Sequence, residues 1–190
     1  KHWVMDYEPL YDCFTGVFEN YKTTETKIFV VAHMRNDLTE FISFLKENIE
    51  KKEWHISYNG LAFDAQVTHY ILDNEKKWTE LNGHEVAHII YKYAQRCIQK
   101  SNNREFSDYP QWKMQIGQID LFKMHHWDNP AKRSSLKWIQ YSMDWQNIID
   151  MPIHHETKIV SEEDLNIILG YCINDVKSTK EIYNRSKSQV

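Results

Sequence analysis

Lys1-His2-Trp3-Val4-Met5-Asp6-Tyr7-Glu8 opens the chain and reads as a short strand, whose successive side chains point to opposite faces of a sheet. Asp6 and Glu8 are two apart, so both carboxylates project from one face. Like charges held that close repel one another unless a cation sits between them. An acid pair at the end of a buried strand is therefore a candidate metal site. The simpler reading is two solvated acids at an exposed strand end.

Working outward, Phe14–Tyr21 and Lys27–Ala32 are rich in β-branched and aromatic residues, with a polar Lys22–Thr26 segment between them. They predict a hairpin adjacent to the opening strand. Asp37 is expected to cap a helix whose apolar positions Leu38, Phe41, Ile42, Leu45 and Ile49 keep helical spacing. Trp54–Tyr58 reads as a strand closed by the turn pair Asn59-Gly60. Phe63–Asp73 is helical by pattern, and Asn82-Gly83 opens a further helix to about Ile98. Residues 100–112 form a polar loop, Ile116–Leu121 a strand and Leu136–Met143 another helix. Ser161 is an N-cap candidate for the last helix, with Glu162, Glu163 and Asp164 at the positive end of its dipole. Its apolar stripe sets Tyr171 and Asp175, four apart, on one face. Strands and helices in this order predict an α/β fold with a mixed sheet.

The bulk numbers agree with one domain spanning 1–190, with a helical insertion near 74–115. A hydrophobic fraction of 42% suits a packed core rather than a disordered tail. The longest apolar runs are too short to cross a bilayer, and no secretory signal is present. Three scattered cysteines argue for a reducing, cytoplasmic setting rather than a disulfide scaffold. A net charge of −4 weakens a broad DNA-coating role. It does not exclude a small nucleic-acid site at which metal ions supply the positive charge.

Asp6-x-Glu8, then Asn59-Gly60-Leu61-Ala62-Phe63-Asp64, then Tyr171-x-x-x-Asp175 resembles the three ordered exonuclease motifs of the DEDD superfamily. These are ribonuclease H-like nucleases that include the proofreading domains of DNA polymerases. The histidine subgroup carries His five residues before the last Asp, where this chain has Gly170; the tyrosine subgroup carries Tyr four before it, which is Tyr171. The chain thus looks like the DEDDy type. Ser135-Leu136-Lys137-Trp138-Ile139 resembles the Ser/Thr-Leu-x-x-hydrophobic motif that contacts single-stranded DNA in family B polymerases. The whole set looks closest to the exonuclease domain of protein-primed polymerases. Two departures stand out: Pro9-Leu10 follows Glu8 where the family has Thr, and no polymerase palm follows the third motif.

The resemblance implies a ribonuclease H-like mixed sheet flanked by helices, and a 3′–5′ exonuclease using two Mg²⁺ or Mn²⁺ ions. Asp6 would bridge both ions, Glu8 and Asp175 would complete the water-holding site, and Asp64 would help hold the second ion. Tyr171, with an ordinary pKa near 10, would orient the water rather than take its proton. Leu10, Asn59, Phe63, Lys132, Arg133, Ser135 and Lys137 are candidate contacts to a single-stranded DNA 3′ end. For all of them but Leu10 a plainer role exists: turn, cap, core or solvated charge. The partner could instead be RNA, in an exoribonuclease, or a polymerase domain, and a catalytically silent nucleic-acid-binding domain is a further alternative. His125-His126 and His154-His155 lack zinc-ligand spacing and read as surface or core histidines.

Overall fold

In the computed structural model of the chain, the described residues are 1–126, 136, 137, 140, 143, 145 and 150–187, with 125 and 126 described by backbone alone. Five strands form one sheet: β1 (Trp3–Pro9), β2 (Phe14–Asn20), β3 (Thr26–Val31), β4 (His55–Ser57) and β5 (Gln118–Asp120). Their order is β3-β2-β1-β4-β5. β2 is antiparallel to both of its neighbours, β1 and β3, whereas β4 and β5 run parallel to β1. With helices on both faces this is an α/β mixed sheet compatible with a ribonuclease H-like fold.

Alternation along β1 divides the core. Trp3, Met5 and Tyr7 join Phe14, Phe18 and Phe29 in the larger cluster. That cluster is roofed by α1 (Leu38–Glu50), α2 (Asp64–Asn74) and α3 (Gly83–Asn102). The opposite face carries Val4, Val17 and Ile56, packed under Cys172, Val176 and Ile182 of α5 (Glu162–Lys187). Each large apolar side chain sealed there contributes roughly 1.5–3 kcal/mol. The segment predicted as a helical insertion supplies Val86, Ile90 and Ala94 to the larger cluster, so α3 is part of the main core.

Several local expectations need correction. Asp37 does stand at the N-cap of α1, its carbonyl accepting the Phe41 N–H at 2.8 Å, but its side chain makes no cap hydrogen bond; the carboxylate instead accepts the Val30 N–H at 2.9 Å and pairs with Arg35 Nε at 2.7 Å. The predicted strand at 116–121 is shorter, because Leu121 begins a further short helix, α4 (Leu121–His126). Ser161 does cap α5, its Oγ accepting the Asp164 N–H at 3.2 Å. Of the predicted helix Leu136–Met143, residues 136, 137 and 140 are helical and the remainder, Met143 apart, lies outside the described residues.

Candidate functional site

β1 stays paired with β2 through Pro9 but with β4 only through Val4. The end of β1 therefore projects Asp6 and Glu8 past β4, opposite Val17 and Thr15 of β2. Both are half-buried, on the face that α5 covers. Cys172 of α5 lies directly against Asp6, with its Sγ 3.4 Å from the Asp6 carbonyl oxygen. Asp175 is three residues further along the helix, hence on the same side. Carboxylate oxygens of Asp6, Glu8 and Asp175 all come within 4.8 Å of one another. Tyr171 is half-buried one turn earlier on α5.

Asp64 is the buried first residue of α2. It is positioned by the turn after β4, where Asn59 takes a left-handed φ of 60°. That turn is anchored by a residue the sequence reading missed. Asp120, ending β5, accepts N–H bonds from Asn59 at 2.8 Å, Leu61 at 3.1 Å and Phe122 at 3.0 Å. Asn59 and Leu61 lie some sixty residues away, so no local spacing could have flagged their link to Asp120.

Crowding sets the electrostatics. Burial pushes Asp6 well above the usual carboxylate range, reinforced by the charges of Glu8, Asp64 and Asp175. Glu8 is pushed up to about 8 by burial and by Asp175 and Asp64, with Lys137 pulling the other way. Asp64 is also raised to about 8, by burial and then by Asp120. Burial, followed by the charges of Asp175, Glu8 and Asp6, raises the Tyr171 hydroxyl, so it stays protonated and able to donate. Lys137 Nζ sits 2.8 Å from Asp175 Oδ1 and 4.5 Å from the Tyr171 ring centre. Gln140 Nε2 reaches the same Asp175 oxygen at 3.1 Å.

The donor set is all oxygen, which suits Mg²⁺ or Mn²⁺. Asp64 Oδ1 is buried with no hydrogen-bond partner. Three converging carboxyls, with a partnerless buried carboxylate oxygen whose charge acts on Asp6 and Glu8, are oxygen ligands that could hold a divalent cation.

The candidate DNA contacts fare unevenly. Leu10 is 3% exposed and packed with Cys13, Ile159 and Leu165. The expectation that it contacts a DNA 3′ end is corrected: its surface is already spent on the core. Phe63 is half-buried against the larger cluster, and Asn59 is exposed at its turn. Lys137 lies at the acids. Lys132, Arg133 and Ser135 fall outside the described residues.

A zinc-like spacing also escaped the sequence reading: His84-Glu85-Val86-Ala87-His88 on α3, of the His-Glu-x-x-His form. His33 packs against His84, ring centres 5.5 Å apart. Yet Glu85 is turned back to accept the Asn82 N–H in a capping box. Among the described residues only the acidic trio brings ligand atoms together within 4.8 Å.

No model of a known protein family matches the chain, and no curated protein matches it.

Proposed function

We propose that this chain is a metal-dependent 3′–5′ exonuclease that hydrolyses single-stranded DNA ends to nucleoside 5′-monophosphates, as a free-standing nuclease or as the proofreading part of a polymerase. The observation that carries this reading is the meeting of residues 6, 8 and 175, from opposite ends of the chain, within 4.8 Å. Asp6, Glu8 and Asp175, with Asp64 behind them, would hold two Mg²⁺ or Mn²⁺ ions. When bound, such ions supply the positive charge that in-line displacement at phosphorus requires. Tyr171, kept protonated, donates a hydrogen bond that orients the attacking water; its raised pKa argues against a role in taking the proton. Asp120 acts at one remove, holding the turn that delivers Asp64.

The test is a 5′-labelled single-stranded DNA oligonucleotide incubated with the chain and Mn²⁺, beside an RNA of the same sequence. Stepwise shortening of the DNA, lost with a chelator and in Asp6→Asn, is the expected result. Preferential shortening of the RNA would move the assignment to an exoribonuclease. Binding of both oligonucleotides with no shortening of either would leave only a silent nucleic-acid-binding domain.

A further inference from the structure

The two most exposed large apolar side chains among the described residues are Phe106, 98% exposed, and Trp112, 80% exposed. Both line one groove of about 490 Å³, with Tyr109 and Met114 alongside. Aromatic surface of this kind is costly to leave in water and marks a contact surface when it is concentrated. Lys113 Nζ lies 4.9 Å from the Trp112 ring centre, and Lys123 lines the groove. Among the described residues no carboxylate does, although the whole chain carries a charge of −4.

The groove is built on the turn that leads to Asp64. Leu61 and Ala62 form part of its wall, and Leu61 is three residues from Asp64, within about 10 Å of chain. The aromatic loop is also bolted to α2. The Gln66 side chain donates to the carbonyls of Leu61 and of Tyr109, both at 2.8 Å, and accepts the Tyr109 N–H at 2.9 Å. One turn on, His69 Nδ1 donates to the Ala65 carbonyl at 2.7 Å, which leaves Nε2 to accept the Gln115 N–H at 2.9 Å. Two exposed rings are therefore held on a loop that is anchored from behind, next to the residues that position a candidate catalytic acid.

We infer that this groove is a stacking platform for single-stranded nucleic acid, holding the bases upstream of the nucleotide whose phosphodiester lies at the acidic cluster. Phe106 and Trp112 supply sequence-independent π-faces, and Lys113 and Lys123 meet the phosphates. As a strand path the inference rests on the exonuclease reading; as a binding surface it does not.

Binding is measured by fluorescence anisotropy of a labelled oligothymidylate, with chelator present so that no cleavage intrudes. The chain is compared with Phe106→Ala, Trp112→Ala and the double variant. Because both side chains are exposed, the variants keep the wild-type melting temperature. Each single variant binds about tenfold more weakly, on the scale of one lost base stack. Lys113→Gln and Lys123→Gln each lower the salt dependence of binding by about 0.7 in slope. If cleavage occurs, the aromatic variants raise KM on a long strand more than on a dinucleotide, which is too short to reach the groove. Weakened binding in the variants with no cleavage by the wild-type chain would sink the exonuclease reading and keep the platform. Wild-type affinity in the double variant would overturn the platform and assign the aromatic face to a protein partner.

Discussion

Adding Mn²⁺ to the metal-free chain at pH 7 should release protons. Burial, reinforced by neighbouring carboxylates, pushes the Glu8 and Asp64 carboxyls up to about 8, and Asp6 is raised as well. A carboxyl with a pKa of about 8 is about nine-tenths protonated at pH 7. A divalent ion binds the carboxylate form, so those protons must leave when it arrives. The expected release is at least one proton per chain, because a cation that ligates these carboxylates displaces the protons that burial and mutual repulsion hold there. Apparent affinity should then rise about tenfold per pH unit for each displaced proton, levelling off above pH 8.

Isothermal titration in two buffers of different ionisation heat measures this directly, since the difference in observed enthalpy counts the protons. The sign can be checked on stability too. These acids have folded pKa values raised above their unfolded ones, so their contribution favours folding in acid and is lost as pH rises from about 4 through about 8. The metal-free chain should lose stability across that range from this source, and Mn²⁺ should restore it. A proton count near zero at pH 7, or a metal affinity flat between pH 6 and pH 8, would refute the picture of an acidic cluster waiting for a cation.

Asp6→Asn keeps the shape but cannot ionise to ligate a cation, so cleavage should vanish while the melting temperature of the metal-free chain holds or rises. Tyr171→Phe should slow turnover on the order of 10²-fold by losing an oriented donor, with Mn²⁺ affinity nearly unchanged by titration. Leu10→Ala should cost about 2–5 kcal/mol of stability in denaturant unfolding, as for a core leucine, with KM for DNA unaltered at temperatures where the variant is folded.

The parts of this fold that could be read from sequence are those whose signal is local. Alternation along β1, the helical stripe of α5 and the Ser161 cap all live within a few residues, and each reappears in the structure. The failures have long-range causes. Leu10 looked available for a ligand because Ile159 and Leu165, which bury it, lie about 150 positions later. Asp37 had the chemistry of a cap, but Arg35 and the Val30 N–H claim its carboxylate first. Gln66 and His69 read as ordinary polar positions on a helix because their partners, Tyr109 and Gln115, are 43 and 46 residues away.

The acidic site itself divides the same way. That Asp6 and Glu8 share a face follows from their spacing alone, and so does the pairing of Tyr171 with Asp175. That the two pairs meet has no local signature whatever. It requires β1 to lie at the centre of the sheet, with its Val4 face under α5, and the helix to be seated so that Cys172 rests against the Asp6 backbone. Once that contact is made, three further residues of helix bring Asp175 round to the same side. A change that rotated α5 in its seat, such as enlarging Cys172, should therefore disperse the carboxylates without altering any of them. Cys172→Leu is the sharpest version: the added bulk presses on Asp6, and Mn²⁺ affinity should fall while all four acids remain. Unchanged Mn²⁺ binding in that variant would mean that the seating of α5 does not govern the site.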